Sequence, residues 1–141
     1  MNMEKIFIIE KVEDLSKIVD FILSMKISSP LIFLYGNLGA GKTEFVRSFS
    51  KNFGIENVSS PTFNIVHRYE NDKVKITHID LYRITTLSHF LELDPYQLFE
   101  DSNFTFIEWP EILEQLDLKD YNLIKIFIEI VDEKRKVKIL C

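Results

Sequence analysis

One cysteine, four glycines and four prolines are all that the 141 residues contain of those types. The cysteine is the last residue, Cys141, so no disulfide can close within the chain and no Cys-rich metal site exists, which fits a reducing cytoplasm. Long apolar runs are missing too. The N-terminal run from Ile6 to Ile9 falls far short of a secretion signal or of the roughly 20 residues that span a bilayer, so export and membrane insertion are not expected. Positive charge is in deficit, 17 Lys and Arg against 22 Asp and Glu, for a net charge of -5. The surface as a whole repels nucleic acid, and any contact with RNA needs a local basic patch or a partner protein.

What is present is an ordinary globular composition, 46% hydrophobic and 28% charged, which excludes a disordered, collagen-like or disulfide-scaffold protein. One domain spanning residues 1–141 is expected. Three of the four glycines, Gly36, Gly39 and Gly41, fall within six positions of one another, which marks a special backbone there.

Along the chain, Lys5 to Ile9 reads as a short strand. Val12, Leu15, Ile18, Val19 and Ile22 recur at helical spacing to about Met25. Leu31 to Tyr35 is a continuous apolar run, the pattern of a strand buried on both faces of a parallel sheet. From Lys42 to about Phe53, Phe45, Val46, Phe49 and Phe53 share one helical face, and Gly54 sits where a left-handed cap belongs. Asn64 to Glu70 and Lys73 to Asp80 read as a hairpin around Asn71-Asp72. Thr85 to Asp101 predicts one or two short helices interrupted by Pro95, Asn103 to Glu108 a strand, and Pro110 the first position of a helix carrying Ile112, Leu113 and Leu116. Leu123 to Val131 and Lys136 to Leu140 predict two strands around a charged turn, Asp132 to Arg135. The order implies a single α/β domain with a mostly parallel or mixed central sheet, flanking helices and hairpin additions.

Gly36-Asn37-Leu38-Gly39-Ala40-Gly41-Lys42-Thr43 matches the phosphate-binding P-loop pattern in full, between a buried strand and a helix start. Glycines let the backbone curl so that N–H groups converge on a phosphate, and the helix that follows presents its positive end. Lys42 adds a mobile cation for the β and γ phosphates, and the Thr43 hydroxyl is offered to Mg²⁺. Asn37 through Thr43 are therefore the expected nucleotide-binding residues. Such a site needs a carboxylate at the tip of a neighbouring strand. Two strands end in one: Ile76 to Asp80 and Phe104 to Glu108. Trp109, the single tryptophan, follows Glu108 and stands where it either fills the core or covers a ligand. Ser60-Pro61-Thr62 lies where nucleotide-responsive segments occur. His67, His78 and His89 share no metal-ligand spacing and read individually as structural or surface residues.

Leu38 to Thr43, Ser60-Pro61-Thr62-Phe63, His78-Ile79-Asp80-Leu81-Tyr82-Arg83 and Ile107-Glu108-Trp109-Pro110-Glu111, in that order and at those distances, resemble the TsaE family, also called YjeE. The resemblance implies a bacterial ATPase, weak alone and stimulated by its partners TsaB and TsaD. Its ATP binding and hydrolysis, with Mg²⁺, would support threonylcarbamoyl transfer to adenosine 37 of tRNAs that read codons beginning with A. Carried over by motif, Lys42 binds phosphate, Thr43 and Glu108 hold Mg²⁺, and Asp80 serves catalysis near the metal or the attacking water. Trp109 lies by the nucleotide and Thr62 is the contact from the switch segment. The chain departs from many relatives at Glu44, where they carry a second hydroxyl residue, and at Asp94-Pro95, where they carry a glycine.

Two other classes compete. A small nucleoside or nucleotide kinase usually brings an arginine-rich lid, whereas Arg47, Arg68, Arg83 and Arg135 are scattered here. A nucleotide-switched binding module would show weak turnover as well. Preference for ATP over GTP rests on the resemblance and on the absence of an Asn-Lys-x-Asp guanine motif.

Overall fold

The structure, a computed structural model, describes residues 3–58 and 64–141. Strand β1 (Glu4–Ile9) leads through a 3-10 turn (Val12–Asp14) into helix α1 (Leu15–Ser24), then strand β2 (Leu31–Tyr35) and helix α2 (Lys42–Lys51). Strands β3 (Val66–Glu70) and β4 (Lys75–Asp80) form the hairpin. Helices α3 (Leu87–Leu91) and α4 (Pro95–Glu100) lead to β5 (Phe104–Glu108), and a 3-10 turn (Pro110–Gln115) precedes β6 (Leu123–Val131) and β7 (Lys134–Leu140). Seven strands make one sheet in the order β1-β7-β6-β2-β5-β4-β3. Its centre is parallel, β2 with β5 and β6 and β4 with β5, while β1, β7 and β3 pair antiparallel. The α/β fold with a mixed sheet is as the sequence implies.

Alternation along β2 explains why its residues are all apolar. Ile32 and Leu34 face α1 and α2, where they meet Ile18, Ile22, Phe45 and Phe49, while Leu31 and Phe33 face Phe90 of α3, Phe99 of α4 and Leu113. Phe49 anchors the first layer, with ring centres 4.7 Å from Phe104 and 5.0 Å from Phe106. None of the described helices is long and apolar enough to cross a membrane.

Local departures from the sequence reading have physical causes. The Asn71-Asp72 hairpin closes without glycine because Asn71 Oδ1 accepts from the N–H groups of Lys73 and Val74 at 2.9 and 3.0 Å. That side chain builds a longer Asx turn in place of a two-residue one. The reverse occurs between β6 and β7: Val131 pairs with Lys134, so only Asp132 and Glu133, at φ 49° and 67°, form the turn and β7 starts two residues early. Pro95 does not interrupt a helix but opens α4, and Asp94 before it adopts φ 52°, a left-handed conformation that favours glycine. Pro110 begins a 3-10 segment rather than an α-helix; its buried residues are Pro110 and Leu113, which at three apart fall on one side of the tighter coil.

Candidate functional site

The parallel centre of the sheet brings β2, β4 and β5 to a common C-terminal edge, the place where open α/β sheets bind ligands. A cleft of about 840 Å³ opens there. Leu38 to Thr43 line it, and so do Asp80, Glu108 and Trp109, while Asn37 does not. Thr62 and the rest of Ser60 to Phe63 lie outside the described residues.

The loop between β2 and α2 requires its glycines for different reasons. Gly36 passes so close to β6 that a Cβ would stand 2.8 Å from the carbonyl oxygen of Ile128, whereas Gly41 sits at φ 110° as the residue that caps α2. Asn37 O accepts from the N–H of Ala40 at 3.0 Å, which curls the loop. Arg135 of β7 supports it from below, donating from Nε to Ala40 O at 2.7 Å.

Lys42 is buried, its Nζ donating to Gly36 O at 2.5 Å and lying 3.5 Å from the centre of the Trp109 ring. Burial lowers its pKa, and the nearby carboxylates of Glu108 and Asp80 oppose that shift. Thr43, one residue on, donates from Oγ1 to Glu108 Oε2 at 3.2 Å. Asp80 and Glu108 are direct partners in the β4–β5 ladder, so both carboxylates emerge on the same face. Burial raises the pKa of Asp80, and the Tyr82 N–H, donating at 2.9 Å, opposes the shift. Hydroxyl and carboxylate oxygens side by side make a hard donor set, which fits Mg²⁺. Among the described residues no three His, Cys, Asp or Glu side chains converge as a metal cage. Mg²⁺ needs none, since it keeps waters and phosphate oxygens and takes one or two protein ligands.

Of the two sequence readings of His78, structural or surface, the structure selects the first. His78 is fully buried and its Nε2 lies 2.5 Å from Glu108 Oε2. The available signal was strand alternation, which puts His78 on the face of Asp80 two positions on. The arginines, scattered in sequence, gather in space: Arg47, Arg83 and Arg135 all line the cleft. Arg135 carried no sequence signal, because only the β6–β7 pairing brings it under the loop.

Taken together, these are the features of an α/β domain built around a Gly-x4-Gly-Lys-Thr strand–loop–helix with acids on the two neighbouring strand tips. The family profile described as "Threonylcarbamoyl adenosine biosynthesis protein TsaE" matches residues 9–138, and the chain belongs to that family. It is 39% identical over 143 residues to the tRNA threonylcarbamoyladenosine biosynthesis protein TsaE of Aquifex aeolicus, covering 99% of this chain and 98% of that one. With the protein of the same name in Rickettsia felis the identity is 33% over 132 residues, 92% of this chain and 75% of the other. The crystal structure of YdiB from Bacillus subtilis superimposes with a TM-score of 0.71 at 22% identity, over 100% of this chain and 87% of that one, and so shares the fold.

Proposed function

We propose that the chain is a Mg²⁺-dependent ATPase of the cytoplasm that acts with TsaB and TsaD in threonylcarbamoyl modification of adenosine 37 in tRNAs reading codons that begin with A. The observation that carries the reading is the meeting of Lys42, Thr43 and Glu108 at one point, with Thr43 Oγ1 3.2 Å from Glu108 Oε2. Loop N–H groups and the start of α2 cradle the phosphates, and Lys42 leaves Gly36 O to neutralise the β and γ oxygens. Thr43 and Glu108 hold the ion. Bound there, Mg²⁺ would supply positive charge where the departing ADP develops negative charge. Asp80, whose proton affinity burial raises, orients the attacking water and takes up its proton. Trp109 covers the nucleotide. With a net charge of -5, the chain leaves most tRNA contact to TsaB and TsaD.

Phosphate release by wild type, Lys42→Ala and Glu108→Gln, each with and without TsaB and TsaD, tests the reading. Both variants should fall by at least about 100-fold, the order of a lost transition-state contact; unchanged release in both rejects the ATPase. A pull-down with TsaB and TsaD should show association that depends on ATP.

The arginines of the cleft favour a second reading, a small-molecule kinase. Arg135 is committed to Ala40 O, and Arg47 to Glu44 and to Val58 O, so two of the three already brace the protein. Transfer of γ-labelled phosphate to a nucleoside, in place of free phosphate, would establish the kinase.

A further inference from the structure

Glu108 is a buried carboxylate, and such a group is tolerable only when its oxygens are hydrogen-bonded. Both bonds fall on one oxygen. Oε2 accepts from Thr43 Oγ1 at 3.2 Å and lies 2.5 Å from His78 Nε2, while Oε1 has no partner among the described residues. A carboxylate accepts and does not donate, so Nε2 of His78 carries the hydrogen. The other ring nitrogen, Nδ1, is buried with no partner among the described residues. An unpaired buried acceptor is a cost, and Ile or Phe would pack at this site in β4 without it. The neighbour opposite His78 in the ladder is indeed Phe106. What the imidazole adds at this position is therefore the N–H of Nε2.

Building on the ATPase reading above, we propose that His78 is a positioning residue for the metal-binding carboxylate. Its N–H fixes Oε2 of Glu108 from the sheet side, Thr43 fixes the same oxygen from the helix side, and the second oxygen is left to the ion. β4 and β5 are adjacent parallel strands, and His78 reaches Glu108 diagonally across them, so the support comes from the rigid sheet and not from a loop. Partners of this kind set the orientation of metal ligands, and their loss typically weakens metal affinity about 10- to 100-fold.

His78→Gln and His78→Asn separate this role from packing. A glutamine amide reaches the position of Nε2; an asparagine amide stops at the position of Nδ1. For wild type and both variants, Mg²⁺ would be titrated into the protein with saturating ADP, followed by calorimetry and by Trp109 emission. ADP affinity would be measured separately in EDTA, and melting would verify the fold of each variant. His78→Asn should bind Mg²⁺ at least about tenfold more weakly, with ADP affinity in EDTA unchanged, and His78→Gln should stay within about threefold of wild type. Wild-type Mg²⁺ affinity in His78→Asn overturns the proposal. So does an equal loss in both variants, or a parallel loss of ADP affinity in EDTA, because either marks a packing role. Wild type that takes up ADP but no Mg²⁺ overturns the ATPase reading together with this one.

Discussion

The Lys42 ammonium stands 3.5 Å over the ring of Trp109, the single tryptophan of the chain. One cation is thus shared between the loop carbonyl of Gly36, which it reaches at 2.5 Å, and an aromatic face. Phosphates offer that cation a stronger partner than either.

Trp109 emission should accordingly change when ADP is added, since Lys42 leaves the ring. Lys42→Met should abolish the change and weaken nucleotide binding by at least about tenfold, the equivalent of about 1.4 kcal/mol for a charged hydrogen bond. Fluorescence titration of the two proteins measures both effects.

Asp80 should make stability fall with rising pH. Because burial raises its pKa above 3.8, the folded chain keeps the proton to higher pH than the unfolded chain does. Stability is therefore lost as pH rises from about 4 through the raised value, and the ionised carboxylate is a standing cost at neutral pH. Asp80→Asn, which keeps an acceptor for the Tyr82 N–H, should melt higher than wild type at pH 7 in EDTA and no higher at acidic pH, where both side chains are neutral. On the proposed role of Asp80 as the base for the attacking water, its turnover should be lost, an exchange of stability for activity.

The glycines of the loop should rank by what a methyl group meets. Gly36→Ala drives a Cβ to 2.8 Å from a strand carbonyl that cannot yield, for about 3 kcal/mol. Gly39→Ala, at φ 80° with nothing within 4 Å, costs only the left-handed backbone, about 1 kcal/mol. Gly41→Ala falls between, since it joins φ 110° to a 3.3 Å approach to Arg135. Urea unfolding of the three variants measures the order.

Phe49→Ala should cost about 3–5 kcal/mol by denaturant unfolding, since the ring is fully buried against Phe45, Phe53, Phe104 and Phe106.

Much of this was legible in the sequence for definite reasons. Leu31 to Tyr35 is apolar at every position because both faces of β2 are covered, and the glycine spacing after it follows from backbone geometry, so each pattern maps to one structure. The strand tips at Asp80 and Glu108 could be paired because both strands run parallel to β2. What escaped was set by tertiary pairing. Arg135 is some 95 positions from Ala40 in the chain, and only the β6–β7 register carries it under the loop. The spacing of His78 from the other possible metal ligands carries no trace of its hydrogen bond across strands to Glu108. The 3-10 coil after Trp109 escaped because apolar residues at i and i+3 fit an α-helix as well.

The loop that carries Lys42 is the continuation of β2, the strand with three neighbours on either side. Leu31 to Leu34 are at most 1% exposed, so their amides should be among the last to exchange with deuterium. Parting β2 from β5 would split the sheet in half, so the separation between the root of the loop and the strand tip at Glu108 is set by the core of the fold. Motion of the cleft is then left to the loop and to side chains such as Lys42, and it takes place with the sheet intact.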